Sequence, residues 1–266
     1  MAERPTTRTG LGSRIVVVLP VLVVVAALVA FWELFIIVTG QPDYILPPLH
    51  EILVVAVERA GTTFLPNAWV TLQEILLGFF FGATVGLTLG TVIFFSLTMR
   101  RALLPLVIAT QAIPVIAIAP VLVVWFGFGM TPKVVVAALI SFFPVVVNTI
   151  AGLNAVDRDT VNLMHSMNAS GRQIFTMVRI PAALPHVFTG LKNAAAISAI
   201  GAIVGEWVGA HEGLGPVMIA ANAGFKTTVV FAAIFYLSAM AISLFLLVVL
   251  VERLVMPWHF LTREKR

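Results

Sequence analysis

Six long apolar stretches, separated by short polar segments, dominate the pattern along the chain. Each approaches or exceeds the ~20 residues that a helix needs to cross the hydrocarbon core of a bilayer. The predicted spans are residues 15–38, 68–97, 102–126, 134–153, 184–208 and 229–251. Prolines interrupt the third stretch, and we expect them to break it near Pro114. Broken helices at membrane depth often line a pathway. The pattern predicts an all-α, polytopic membrane protein with six transmembrane helices.

Composition supports this interpretation and removes several classes of protein. Sixty per cent of the 266 residues are apolar and 11% are charged, and the mean hydropathy is +1.07. That leaves too little polar surface to coat a water-soluble globule. The first stretch is too long for the apolar region of a cleaved signal peptide, and no A-x-A pattern follows it, so we expect a retained anchor. Cysteine is absent, which excludes disulfides, thiolate metal sites and cysteine nucleophiles.

The distribution of Lys and Arg predicts the orientation. With a cytoplasmic N-terminus, twelve of these residues fall on inner segments, Lys192 falls in the inner half of the fifth predicted span, and only Arg59, Lys133 and Lys226 fall on outer segments. This asymmetry is a positive-inside signal. An even number of spans then places both termini in the cytoplasm. The predicted organisation is a membrane domain over residues 15–253 between cytoplasmic tails at residues 1–14 and 254–266.

Two segments between spans are predicted to fold. On the outside, residues 42–66 contain an amphipathic stretch that we interpret as a short surface helix. On the inside, residues 154–185 mix charged and apolar positions as short helices with a docking face do. Ser170 and Gln173 match a capping box, and Asn168 suits a left-handed turn before it. The prediction is helix, turn and helix, stopping at prolines 181 and 185; the alternative is an ordinary loop on the membrane surface.

The inner segment also resembles a known signature. The stretch from Asn162 to Ser170, followed by Ile180-Pro181, is similar to the E-A-A-x-x-x-G loop of ABC importer permeases. Asn162 stands where Glu is usual, and Asn168 replaces the glycine while keeping the left-handed turn accessible. The resemblance implies that this loop contacts an ATPase. The implied coupling residues are Asp159, Asn162, Leu163, Met164, His165, Asn168, Ala169 and Ser170.

Further motifs extend the resemblance over nearly the whole chain. Leu46-Pro47-Pro48, Phe143-Pro144 and Gly213-Leu214-Gly215 resemble nitrate/sulfonate/taurine-type permeases. Gly205-Glu206-Trp207 is closer to permeases for pyrimidine thiamine precursors or riboflavin. The fold implied is the transmembrane domain of a type I ABC importer in a bacterial inner membrane. The implied partners are a second permease copy, most simply in a homodimer, two ABC ATPase subunits that bind ATP and Mg, an external solute-binding protein and the lipid bilayer, with no nucleic acid.

Other functions fit the residues less well. A self-contained secondary transporter or channel predicts several paired charges within spans and an inverted repeat. The sequence shows only one or two candidate charges in its spans and no clear repeat. An intramembrane enzyme needs a nucleophile with its base, or a metal cluster, and the sequence shows no such constellation. No phosphate-loop motif is present either. We therefore predict a permease subunit without catalytic residues, metal or cofactor of its own. The motifs leave the solute open among nitrate, sulfonate, taurine, a pyrimidine precursor, riboflavin and others.

Glycines recur every four residues in two spans, which predicts close helix packing. Small residues at this spacing let helix backbones approach each other within a bilayer. Contact with another span of the same chain is favoured, and contact with a second copy is the alternative. The glycines concerned are Gly78, Gly82, Gly86, Gly90, Gly201, Gly205 and Gly209.

Polar residues within or near spans are candidates for the translocation pathway. An ionisable group at membrane depth is a functional candidate by default, and Glu206 follows a glycine stripe. Its alternative is an interfacial carboxylate that faces water, whereas Glu33 and Glu74 suit snorkelling or helix-end positions. We expect Ala195, Ser198 and Ala202 to face the path. The candidate pathway residues are Gln111, Asn148, Ser198, Glu206 and Trp207, with interhelical hydrogen bonding as the alternative for the amides, for Ser198 and for Asn193.

Overall fold

The computed structural model describes residues 11–258, with side chains from residue 19 onward, and this part of the chain is helical without strands. The ends of the two predicted tails, residues 1–10 and 259–266, lie outside the described residues. The helices are α1 (Leu11–Thr39), α2 (Leu49–Glu58), α3 (Leu65–Phe95), α4 (Leu97–Ala109), α5 (Val115–Phe126), α6 (Met130–Asn154), α7 (Arg158–Ser166), α8 (Gly171–Ile174), α9 (Ile180–Glu206), α10 (Leu214–Ala223) and α11 (Thr227–Val255).

The crossing helices match the predicted stretches closely. Within the described residues, α1, α3, α6, α9 and α11 are long and apolar enough to span a bilayer. A sixth crossing is formed if α4 and α5, which meet at 101°, count as one broken span. The bend lies at Pro114, and Ile113 before it has an extended backbone, as expected for a residue that precedes proline. The predicted break in the third span is confirmed.

Three helices, α3, α6 and α9, form the centre of the fold through small residues. A Cβ added at Gly82 would lie 2.9 Å from the Ala138 carbonyl oxygen, and one at Gly205 would lie 2.8 Å from the Cα of Lys133. These backbones are therefore nearly in contact. The glycines of α3 at 78, 86 and 90 and of α9 at 201 likewise face α6 of the same chain. Gly209 is different: α9 ends at Glu206, so Gly209 (φ +79°) lies in a turn beside Phe128 and is not part of the helical stripe.

α11 and α2 pack beside this centre. α11 packs on α9 and on α2, and the Tyr236 hydroxyl of α11 donates a hydrogen bond to the Ala56 carbonyl of α2 at 3.1 Å. Ile52 and Ala56 are buried by this contact. The short helix predicted in the outer segment is therefore present as α2, and it covers the outer half of α11.

The inner segment folds as helix, turn and helix. α7 ends before Asn168, which is left-handed (φ +61°), and Ser170 and Gln173 form both bonds of the capping box. The predicted stop at prolines 181 and 185 is wrong. A π turn at Phe175–Arg179 leads directly from α8 into α9. Pro181 occupies the first turn, where no intrahelical N–H bond is required, and Pro185 costs the helix a single hydrogen bond.

Candidate functional site

A buried ion pair joins α3 to α6 near the ends that the charge pattern predicts to lie on the outer side. The ammonium of Lys133 donates a hydrogen bond to the Glu74 carboxylate at 2.8 Å, and their side chains are 8% and 0% exposed. Snorkelling of Glu74 and an outer-loop position for Lys133 are therefore both wrong. α6 begins at Met130, which draws Lys133 into its first turn, where burial is tolerated only because the two charges are paired.

Glu206, the last residue of α9, lies beside this pair and is 1% exposed. Its carboxylate accepts hydrogen bonds from the Thr71 hydroxyl at 2.6 Å and from the main-chain N–H of Gly215. Glu74 and Glu206 are also close enough to interact electrostatically. An interfacial carboxylate facing water is therefore wrong for Glu206. It fastens α9 to α3 and to the turn that leads into α10.

The α9–α10 turn is shaped around the Glu206 carboxylate. Gly213 has φ +117°, and a Cβ at that position would overlap the carboxylate, so the turn requires glycine there. The Gly213 N–H donates to Asn67 Oδ1, and the Leu214 N–H donates to the Thr71 hydroxyl, both at 2.9 Å. The main-chain N–H groups of the Gly213-Leu214-Gly215 motif thus hydrogen-bond α10 and the turn before it to side chains of α3 and α9.

A cavity of about 280 Å³ borders this network on its outer side. Glu74, Lys133, His211, Glu212 and Phe128 are among the residues that line it. The second carboxylate oxygen of Glu74 makes no hydrogen bond with any described residue. We define the outer polar cluster as Thr71, Glu74, Lys133 and Glu206. It holds together the outer ends of the three central helices beside an open cavity.

The two faces of α9 have opposite surroundings. Ser198 is fully buried, with its hydroxyl bonded to the Ala195 carbonyl at 2.9 Å, and Ala195 and Ala202 are equally buried. The expectation that these positions face a path is not met within this chain. The opposite face is exposed along its length. Its exposed residues are His186, Thr189, Asn193, Ala196 and Ile200.

The candidate pathway residues do not come together. Gln111 is exposed in the short helical turn at the α4–α5 bend. Asn148 is half-buried and donates to the Pro144 carbonyl of its own helix at 2.8 Å. Trp207 is 42% exposed just beyond α9. The exposed face of α9 was not identified as a unit from the sequence. The three- to four-residue spacing of His186, Thr189, Asn193, Ala196 and Ile200 was the available signal.

The predicted coupling residues occupy one continuous piece of the surface that is predicted to be cytoplasmic, α7 and the turn after it. Leu163 is 61% exposed, and Met167 one turn later is 71% exposed. His165 is exposed, whereas Met164 and Ala169 are half-buried. Among the described residues, the apolar surface that α7 presents to a partner therefore centres on Leu163 and Met167. Met164, the expected contact, is turned partly inward.

No group of three or more His, Asp or Glu residues within the described part of the chain is arranged to hold a metal ion. The charged side chains at membrane depth are instead bonded to one another and to the main chain. These contacts join α3, α6, α9 and α10 at one end of the helix core.

Comparison with known proteins identifies the family. The family model for the binding-protein-dependent transport system inner membrane component matches residues 76–257. The chain belongs to this family. This permease is thus a membrane subunit of an ATP-binding-cassette importer, and ATP hydrolysis takes place in a separate subunit of such systems. The secondary-transporter and enzyme alternatives are excluded.

Several curated relatives are transport permeases. The formylaminopyrimidine transport permease protein ThiX of Halalkalibacterium halodurans is 38% identical, covering 87% of this chain and 92% of the relative. The riboflavin transport system permease protein RibX of Chloroflexus aurantiacus is 34% identical, covering 87% of each. The taurine transport system permease protein TauC of Escherichia coli is 28% identical, covering 87% of this chain and 86% of the relative.

A solved structure shows the same fold. An inward-facing conformation of the MetNI methionine ABC transporter aligns with TM-score 0.62 at 20% identity, covering 71% of this chain and 94% of that chain. The predicted type I importer fold is confirmed. Since the family is an inner-membrane transport component, the permease is a multi-pass membrane protein that works with ATPase and binding-protein partners.

Proposed function

We propose that two identical copies of this permease enclose a translocation path, with both termini cytoplasmic and α7 docked on an ATPase. The observation that carries this proposal is the exposed face of α9. Thr189 and Asn193 lie there within a spanning helix. The Thr189 hydroxyl donates a hydrogen bond to the Pro185 carbonyl at 2.9 Å. Lipid tails cannot satisfy the Asn193 amide, so this side chain faces a partner or a water-filled cavity.

The packing of α9 supports a path on that face. Its other sides are occupied by α6, α3 and α11, and the small residues there bring the backbones into contact. The outer polar cluster then has a supporting role: it holds the end of α9 in position beside the path. Glu206 would act by fixing the helix and not by touching the solute.

Docking at α7 is supported by its exposed apolar pair. Leu163 and Met167 stand one turn apart on the same side of the helix. Exposed apolar side chains at i and i+4 are typical anchors for a groove on a partner. The capping box and the left-handed Asn168 fix the angle between α7 and α8, which presents this pair as a preformed surface.

For the solute, we infer a neutral nitrogen heterocycle. Two relatives above 30% identity are named for formylaminopyrimidine and riboflavin transport, whereas the taurine permease is 28% identical. The exposed face of α9 also carries amide, hydroxyl and imidazole groups. No exposed Lys or Arg lies between residues 186 and 200. The nitrate anion and the sulfonate group of taurine are better recognised by fixed positive charge.

The docking proposal is tested by Leu163→Asp in the complete importer reconstituted in nanodiscs. A charge placed in an apolar contact without a partner costs a few kcal/mol, so we expect stimulated ATP hydrolysis to fall about tenfold or more. Arg158→Asp, a charge change at an exposed α7 residue outside the implied coupling set, is the control and should retain most activity. Normal hydrolysis by the Leu163 variant would contradict docking at this pair.

The solute is tested with the cognate binding protein and the intact importer. Thermal stabilisation of the binding protein by formylaminopyrimidine, riboflavin, taurine and nitrate is compared, followed by uptake of the labelled compound that binds. We expect a heterocycle to bind and to be transported. Stabilisation by taurine or nitrate alone would show that the solute class is wrong while leaving the permease function intact.

A further inference from the structure

Arg179 connects the cytoplasmic end of α6 to the beginning of α9. Its guanidinium donates a hydrogen bond to the main-chain oxygen of Leu153 at 3.0 Å. Leu153 belongs to the last turn of α6, where carbonyls have no partner within the helix. A positive charge there also complements the negative end of the helix dipole. The side chain is half-buried, although the sequence pattern placed it only among the inner positive charges.

The same side chain reaches α3. The guanidinium carbon of Arg179 lies 4.9 Å from the centre of the Phe94 ring, a distance typical of a cation–π contact. Phe175, one turn earlier, packs on the same end of α3, with its ring centre 4.7 Å from that of Phe95. Two aromatic residues that end α3 are therefore held by the turn that carries Arg179.

That turn is the π turn Phe175–Arg179, between the capped helix α8 and the long helix α9. A π turn is wider than an α-helical one, and such turns are frequently found at functional sites. Here it lies where the chain re-enters the helix core after the docking segment. The chain leaves the core at the end of α6 and returns at α9. Arg179 joins these two points through its hydrogen bond to Leu153.

We propose that Arg179 is a positioning residue that transmits displacement of α7 to the central helices α3, α6 and α9. The inference rests on the proposed docking of an ATPase at α7. Without the Arg179 contacts, the turn loses its hydrogen bond to the end of α6 and its contact with Phe94, and it keeps only the packing of Phe175 on the end of α3. With them, a displacement of α7 must move all three helix ends together, because each is bonded to the same turn.

The experiment uses the importer with its two cognate ATPase subunits in nanodiscs. The permease contains no cysteine, so Asn193→Cys gives it one thiol on the exposed face of α9. The labelling rate of this thiol by a charged methanethiosulfonate reagent is measured without nucleotide and after trapping with MgATP and vanadate. With Arg179 present, we expect the two rates to differ about tenfold, within the usual range of coupling between sites.

Arg179→Met in the same background should bring the two labelling rates to within about twofold of each other. ATP hydrolysis should continue, because the docking surface at Leu163 and Met167 is untouched. Arg179→Lys keeps the charge but lacks the planar group that stacks on Phe94, so an intermediate difference is expected. Arg100→Met removes an exposed inner arginine from α4 and should leave the tenfold difference unchanged.

A second variant distinguishes loss of the Arg179–Phe94 contact from unfolding of the permease. Phe94→Leu keeps the hydrogen bond to Leu153 and removes the aromatic face, so it should reduce the labelling difference by itself. If Arg179 acts through that ring, Phe94→Leu combined with Arg179→Met should be no worse than Arg179→Met alone. Thermal unfolding of each complex is recorded to confirm that it is folded.

Two outcomes would overturn the inference. A nucleotide-dependent difference that persists at about tenfold in the Arg179→Met complex would show that another contact transmits the movement. In that case docking at α7 still stands. Absence of any nucleotide-dependent difference in the complex with Arg179 present would instead overturn the proposed coupling of α7 to the path, and this inference with it.

Discussion

The two faces of α9 differ in both burial and polarity: one is buried and built of small residues, and the other is exposed and carries polar side chains. The buried face consists of small residues, among them Ala195, Ser198 and Gly205, which lie against neighbouring helices. The exposed face carries Thr189 and Asn193. Lipid provides no hydrophobic driving force for helix pairing, so helices in a bilayer associate through close packing. Small residues make this possible because they allow the helix backbones to touch. Exposed polar groups in a span instead indicate surroundings other than lipid.

The largest loss of stability is expected from a change at Lys133, which pairs with Glu74 and lies against Gly205 on the buried face of α9. Lys133→Met leaves the Glu74 carboxylate buried and without its cation. Removal of one partner of a buried ion pair typically costs about 3–5 kcal/mol. We expect poor yield of the folded importer and a markedly lower unfolding temperature in detergent.

The matched control for that variant is Glu74→Gln combined with Lys133→Met. It removes both charges and should recover much of the lost stability, because no isolated charge remains. Equal damage in the single and double variants would show that the shape of the Lys133 side chain, which lies against Gly205, matters more than its charge.

Overpacking distinguishes the two faces directly. Gly205→Leu places a side chain where α6 lies within contact distance, and overpacking of this kind costs about 1–3 kcal/mol or more. Ala196→Leu, on the exposed face of the same helix, should leave the unfolding temperature of the permease nearly unchanged. If both variants are equally stable, α9 and α6 are not held by close backbone contact.

Loss of the Glu206 carboxylate should have a smaller effect. Glu206→Gln retains one oxygen for the Thr71 hydroxyl or the Gly215 N–H but presents an NH₂ group to the other. Leaving one buried group unsatisfied costs about 1–3 kcal/mol. We expect a lower unfolding temperature with uptake per folded complex nearly retained, as measured after normalising for folded protein. A complete loss of uptake in a fully stable complex would indicate that Glu206 contacts the solute.

The smallest perturbation is a single thiol. Cysteine at Asn193 or Ala196 should react with a water-soluble reagent in at least one nucleotide state, whereas cysteine at Ala195 or Ser198 should stay protected. The adjacent pair 195 and 196 is the sharpest comparison, since the two residues differ by one position in the chain and are buried and exposed respectively. Labelling of Ala195→Cys and protection of Ala196→Cys would exchange the roles of the two faces.

Local features were predictable because they depend on neighbours in the chain. The Ser170 capping box, the left-handed Asn168 and the break at Pro114 all follow from backbone chemistry within a few residues. The stop predicted at Pro181 failed for a related reason. Proline costs a helix one hydrogen bond and need not end it: Pro181 lies in the first turn of α9 and Pro185 lies within that helix.

The sequence alone determined that this protein spans a membrane with helices, because apolar length and charge asymmetry require no knowledge of packing. Only the tertiary structure decided the partners of its charged residues. Glu74 and Lys133 are 59 positions apart, and Glu206 meets Thr71 across 135 positions. A periodic pattern shows that α9 has two faces, but which face is buried depends on how α3, α6 and α11 surround it. That is a property of the assembled helices and not of any single segment.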